Sequence, residues 1–76
     1  MSSKAKSNVP DRFALTDDEK EILQLHADGM SVDEIAEEME VSKATITNMK
    51  RMIFFKQGAK NVTHAVALAF REGDIS

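Results

Sequence analysis

Cysteine, tryptophan and tyrosine are all absent from this 76-residue chain, proline occurs once and glycine three times. Without thiols there is neither a disulfide framework nor a thiolate zinc site, and nothing points to an oxidising compartment. A chain this short buries only about 60% of the surface its unfolded form exposes. The core is therefore modest, and a deep active-site cleft is not expected. No apolar run approaches the roughly 20 residues that a membrane-crossing helix needs. The start, MSSKAKSNVPDRF, also lacks a secretory apolar stretch. These absences lead us to expect a cytoplasmic protein with no membrane partner. Sustained period-two alternation is missing too, so no strand is assigned and the fold class is all-α.

Positive charge is in short supply overall, with ten Lys and Arg against thirteen Asp and Glu and a net charge of −3. An average of that sign argues against a nucleic-acid partner, but the charge is segregated along the chain. Residues 15–40 hold ten acids against Lys20 alone, a balance of −9. Residues 41–62 hold Lys43, Lys50, Arg51, Lys56 and Lys60 with no acid, a balance of +5. The first fourteen residues, with Lys4, Lys6 and Arg12 against Asp11, stand at +2. They read as a flexible N-terminal arm over 1–14, tethered at Phe13, ahead of a domain over 15–76.

Helix punctuation is clear in the domain. TDDE at Thr16 to Glu19 is a capping box that opens a first helix, with Ile22, Leu23 and Leu25 at helical spacing and Gly29 as its stop. SVDE at Ser31 to Glu34 repeats the box and opens a short second helix whose stripe is Ile35, Ala36 and Met39. Ser42 caps a third helix, about 43–57, that runs to Gly58 with Ile46 and Ile53 on one face. Asn61 caps a fourth, in which Val62, Ala65, Val66, Leu68, Ala69 and Phe70 form a broad apolar surface before Gly73.

The second and third helices are separated by only three residues, Glu40-Val41-Ser42. With Ala36 small enough to allow close approach and Val41 turned inward, this reads as a helix-turn-helix. Its third helix would present Ser42, Lys43, Thr45, Thr47, Asn48, Lys50 and Arg51, a small, polar and basic set that a DNA major groove accepts. The first turn also offers free amides to a phosphate.

At these residues the chain resembles the LuxR family of DNA-binding domains. The stretches that carry the resemblance are LTDDEKEIL, ADGMSVDEIAEEMEVSKATI, KQGAKN and AVALAFREGDI, running without a gap from Leu15 to Ile75. The resemblance implies a four-helix LuxR/GerE-like helix-turn-helix domain whose third helix reads the major groove and whose fourth commonly mediates dimerisation. Carried over by position, it implies groove contacts at Thr47, Asn48 and Arg51 with Lys43 beside them, a phosphate contact at Lys60, and backbone contacts at Ser42 and Thr45. Larger members attach this domain to a sensor or receiver, for which 76 residues leave no room. The chain departs from the family pattern at Asp18, Thr47, Met49 and Val62, and carries Glu37 and Glu38 where basic residues often stand; each departure reduces attraction to DNA.

The expected function is that of a small, sequence-specific transcription regulator that binds double-stranded DNA as a homodimer. The dimer would form through Ala65, Leu68 and Ala69 on the fourth helix, because the apolar surface there exceeds the roughly 100° stripe that faces one core. The alternative is a regulatory protein-interaction module of helix-turn-helix ancestry that engages RNA polymerase or another regulator through the acidic face. No phosphate loop, nucleophile-base pair or metal cluster is visible, so neither an enzyme nor a cofactor is expected. His26 and His64 stand alone and read as core-edge or surface residues rather than ligands. Phe54 and Phe55 diverge by about 100° on one helix, so both cannot enter one core. One of them is left for a dimer or partner contact, or for packing on the fourth helix or the arm.

Overall fold

The computed structural model describes residues 13–76; the expected arm, apart from Phe13 and Ala14, lies outside the described residues. Four helices make up the domain: α1 (Asp17–Ala27), α2 (Val32–Met39), α3 (Lys43–Gln57) and α4 (Val62–Glu72). No strand forms among the described residues, and none of their helices is long and apolar enough to cross a membrane.

Each helix begins where a side chain can replace the missing backbone acceptor. Thr16 Oγ1 accepts the Glu19 amide at 3.1 Å while Glu19 Oε1 accepts the Thr16 amide at 2.9 Å. Ser31 and Glu34 form the same reciprocal box at 3.2 and 2.8 Å. Ser42 Oγ accepts from the Thr45 amide and Asn61 Oδ1 from the His64 amide. Caps of this kind are each worth about 1 kcal/mol, so four of them fix the helix starts of a small domain. Left-handed glycines close α3 at Gly58 and α4 at Gly73.

The α2–α3 turn differs from the expectation at Val41, and the cause lies in the residue before it. Glu40, not a glycine, takes the left-handed conformation at φ 61°, a backbone cost of about 1 kcal/mol for a residue with a Cβ. It is held there by a closed C-terminal turn, in which the Val41 amide donates to the Ala36 carbonyl at 3.0 Å. That same turn directs Val41 outward, where it is 38% exposed. The inward placement of Val41 is thus corrected, and Ala36, 4% exposed, fills the inner position alone.

The core is a layer of isoleucines bracketed by small residues. Ile22 and Leu23 of α1, Ile35 of α2, and Ile46 and Ile53 of α3 are fully buried. So are Ala65 and Ala69 of α4, with Ile75 folded back over them after Gly73. This corrects the expected dimer contact through Ala65 and Ala69. Their small side chains let α4 lie close against α1, the helix it chiefly packs on, and no part of either reaches the surface. Leu68 is half-buried, and the outward side of α4 carries Thr63, Ala67, Phe70 and Arg71 instead.

Candidate nucleic-acid interface

Successive residues of an α-helix are about 100° apart, and that rotation sorts the third helix into two faces. Ile46 and Ile53 point into the core, so Ala44, Asn48, Arg51 and Phe55 fall on the opposite side, with Thr47 and Met52 flanking them. All six are exposed. The N-terminal half of this outward face is small and polar, and its C-terminal half ends in Met52 and Phe55, the latter 70% exposed. Phe13 packs against Phe55 with ring centroids 6.0 Å apart, while Phe54 turns inward onto the core cluster.

At the start of α3, Ser42, Lys43 and Thr45 are exposed as well. The Ser42 and Thr45 hydroxyls lie 3.0 Å apart. The Lys43 ammonium sits 3.3 Å from the Asp33 carboxylate of α2, and both side chains are largely in water. An exposed pair of this kind is worth little, about 0–1 kcal/mol, so Lys43 can exchange Asp33 for a phosphate at small cost. Arg51 Nη1 donates to Asn48 Oδ1 at 3.2 Å, one turn back on the same face. Lys60 is exposed in the loop before α4, where its backbone amide donates to His64 Nδ1 at 3.1 Å.

Two of the five cations in the basic block are placed elsewhere. Lys56 turns inward to meet Glu19 of α1 at 2.7 Å, with the two side chains only 11% and 7% exposed, and it also donates to the Ala14 carbonyl. This pairing went unread in the sequence, although a signal was present. Met49, Ile53 and Lys56 share one stripe, as do Glu19, Ile22 and Leu23, and each stripe puts a charged residue at a core position. Lys50, expected with the groove residues, is half-buried on the side of Ile46 and acts on His26.

His26 ends α1 with its Nε2 buried and unpaired. Burial holds its pKa below the ordinary value, and the positive charge of Lys50 lowers it further; a hydrogen bond to the Met30 backbone works in the opposite direction. A depressed histidine pKa means that the unfolded chain takes up a proton first as the pH falls. The contribution of His26 to stability is therefore complete above about pH 6.5 and is lost as pH drops below it toward the lowered folded value. Urea melts at pH 7 and at about pH 5.5 should show a loss that His26→Gln reduces, since glutamine does not titrate. Equal losses in the two proteins would mean that other groups carry the pH dependence.

Around this interface lies the acid excess. Asp33, Glu34, Glu37 and Glu38 of α2 are exposed, as are Asp17 and Asp18 at the start of α1. The charge segregation noted along the chain is thus also a segregation by element, acidic on α1 and α2 and basic at the start of α3 and before α4.

Comparison with known proteins agrees with this architecture. The model of the family described as "Bacterial regulatory proteins, luxR family" matches residues 14–69. The "Transcriptional regulatory protein DesR" of Bacillus subtilis (strain 168) is 41% identical over 59 residues, covering 78% of this chain. The matched region is 30% of DesR, so the chain spans about a third of that relative's length. No solved structure matches. The chain belongs to the luxR family of bacterial regulatory proteins.

Proposed function

We propose that this luxR-family domain regulates transcription by binding double-stranded DNA sequence-specifically, with α3 in the major groove and two copies on one operator. The observation that carries the reading is the outward face of α3. Thr47, Asn48 and Arg51 are exposed together on a helix without a single acid, opposite the Ile46–Ile53 core face. Ser42, Lys43 and Thr45 at its start and Lys60 before α4 supply backbone contacts, which position the domain without reading bases. Of the basic block, Lys56 is committed to Glu19, so the phosphate contacts fall to fewer cations than the sequence offers.

A single domain of this size covers one half-site, and two half-sites about one helical turn apart give the discrimination a genome demands. The homodimer would use the outward side of α4, where Phe70 is 50% exposed beside Ala67. The alternative, a module that engages RNA polymerase or another regulator, rests on the exposed acids of α1 and α2.

Gel shifts against genomic fragments over a salt series test the reading. Specific binding should survive competitor DNA, and its loss with salt should follow the number of phosphates contacted. Arg51→Ala should cost about 1–3 kcal/mol at the cognate site, whereas Lys60→Ala should weaken all sequences alike. Variants that bind cognate and random DNA as the parent does would remove α3 from the groove.

A further inference from the structure

Arg51 has four helical neighbours within one turn: Thr47, Asn48, Phe54 and Phe55. The two phenylalanines accept no proton from a guanidinium in its plane, and α3 contains no carboxylate. Asn48 Oδ1 is the acceptor that Arg51 uses, at 3.2 Å from Nη1. This bond has two consequences. A long exposed side chain with several free torsions is held in one direction, which lessens the ordering cost of docking it. An asparagine whose carbonyl is already engaged is also less suited to adenine, which demands Oδ1 as acceptor and Nδ2 as donor at once.

We infer that Asn48 is a positioning residue for Arg51, so that the pair reads a single guanine through the free edge of the Arg51 guanidinium and Asn48 reads no adenine of its own. The inference rests on the proposed DNA-binding function and adds to it the base that this face selects. The guanidinium has five N–H donors, and Asn48 engages one on Nη1. Those that remain can still form the two parallel bonds to guanine O6 and N7. Both residues are exposed, and alanine is the stronger helix former, so Asn48→Ala leaves the fold intact.

The test is selection from a pool of duplex oligonucleotides with a randomised stretch of about 20 base pairs, enough for two half-sites of one turn each. The parent protein should enrich a motif with one strongly preferred G·C pair per half-site. Arg51→Ala should lower the preference at that pair by about tenfold or more, the discrimination of one bidentate contact. Asn48→Ala should relax the same pair, and the double variant should lose no more than Arg51→Ala alone. Asn48→Asp keeps an acceptor for Arg51, so it should retain the guanine preference while its added charge weakens binding to every sequence. In the free protein, NMR relaxation of the Arg51 side-chain nitrogen should show restricted motion that Asn48→Ala releases.

If Asn48→Ala relaxes a different, A·T pair and leaves the guanine preference standing, Asn48 is an independent adenine reader and the inference is overturned. Arg51 motion that is the same in both proteins overturns it without reference to DNA. A pool that yields no motif with the parent protein removes the DNA-binding reading itself, and this inference with it.

Discussion

Lys56→Ala is expected to destabilise the domain by about 3 kcal/mol or more, the cost of leaving one member of a buried ion pair without its partner. In the folded domain Glu19 Oε1 accepts from the Lys56 ammonium at 2.7 Å and from the Thr16 amide at 2.9 Å. Removing the lysine leaves a carboxylate that is 7% exposed facing one neutral amide. It also removes the ammonium's second bond, to the Ala14 carbonyl. At about 0.05–0.15 kcal/mol per residue, a domain of this length has little stability to spare. The melting temperature should fall by roughly 12–24 °C or more, at about 4–8 °C per kcal/mol for a domain of this size.

The control is Lys43→Ala, which removes the exposed pair with Asp33 and should change stability by less than about 1 kcal/mol. The two lysines are equal in a count of charges, and their DNA phenotypes should run in the opposite order to their stabilities. Lys43→Ala weakens DNA binding with little change in melting, whereas Lys56→Ala, measured well below its lowered melting point, binds DNA much as the parent does. A Lys56→Ala protein that melts with the Lys43→Ala control would show that the pair adds nothing beyond its desolvation cost.

That contrast also shows what kind of information the sequence holds. The four helix starts and the glycine stops at Gly29, Gly58 and Gly73 were legible because a cap is a local event, settled by residues within one turn. The all-α architecture follows from those caps and from the apolar spacing of Ile35, Ala36 and Met39 in α2 and of Ile46 and Ile53 in α3. Glu40 was not legible as a left-handed residue, because the turn it makes is enforced by the helices on both sides and has no glycine to announce it. The direction of Lys56 was missed for a different reason: charge was summed along residues 41–62, whereas the fold distributes it by helix face. The exposed set of Thr47, Asn48 and Arg51 was readable from rotation about α3. The half-burial of Lys50 was readable in the same way, since it follows Ile46 by one turn.

The face of α4 was the hardest to read, and it yields the second large effect. Alanine is apolar enough for a core and small enough for a helix-helix contact between subunits, so Ala65 and Ala69 fit either surface. Burial decides between them, for both are fully enclosed. Ala69→Glu should therefore unfold the domain rather than split a dimer. It would force a longer side chain and an unpaired carboxylate against Ile75 and the isoleucine core, a combination expected to cost more than about 4 kcal/mol. Circular dichroism should show the helix signal of that variant largely lost at 25 °C. Phe70→Glu provides the contrast, because Phe70 is 50% exposed and its replacement meets water. The variant should keep its helices and melt near the parent. If the outward side of α4 joins two copies, it should also sediment as a monomer under conditions where the parent is a dimer, on its own or on DNA, and bind a two-half-site operator more weakly. A folded Ala69→Glu protein would contradict the packing of α4 on α1. A folded Phe70→Glu protein that sediments and binds as the parent does would move the contact between copies off α4, to another exposed apolar position among the described residues, such as Met52 at the end of α3.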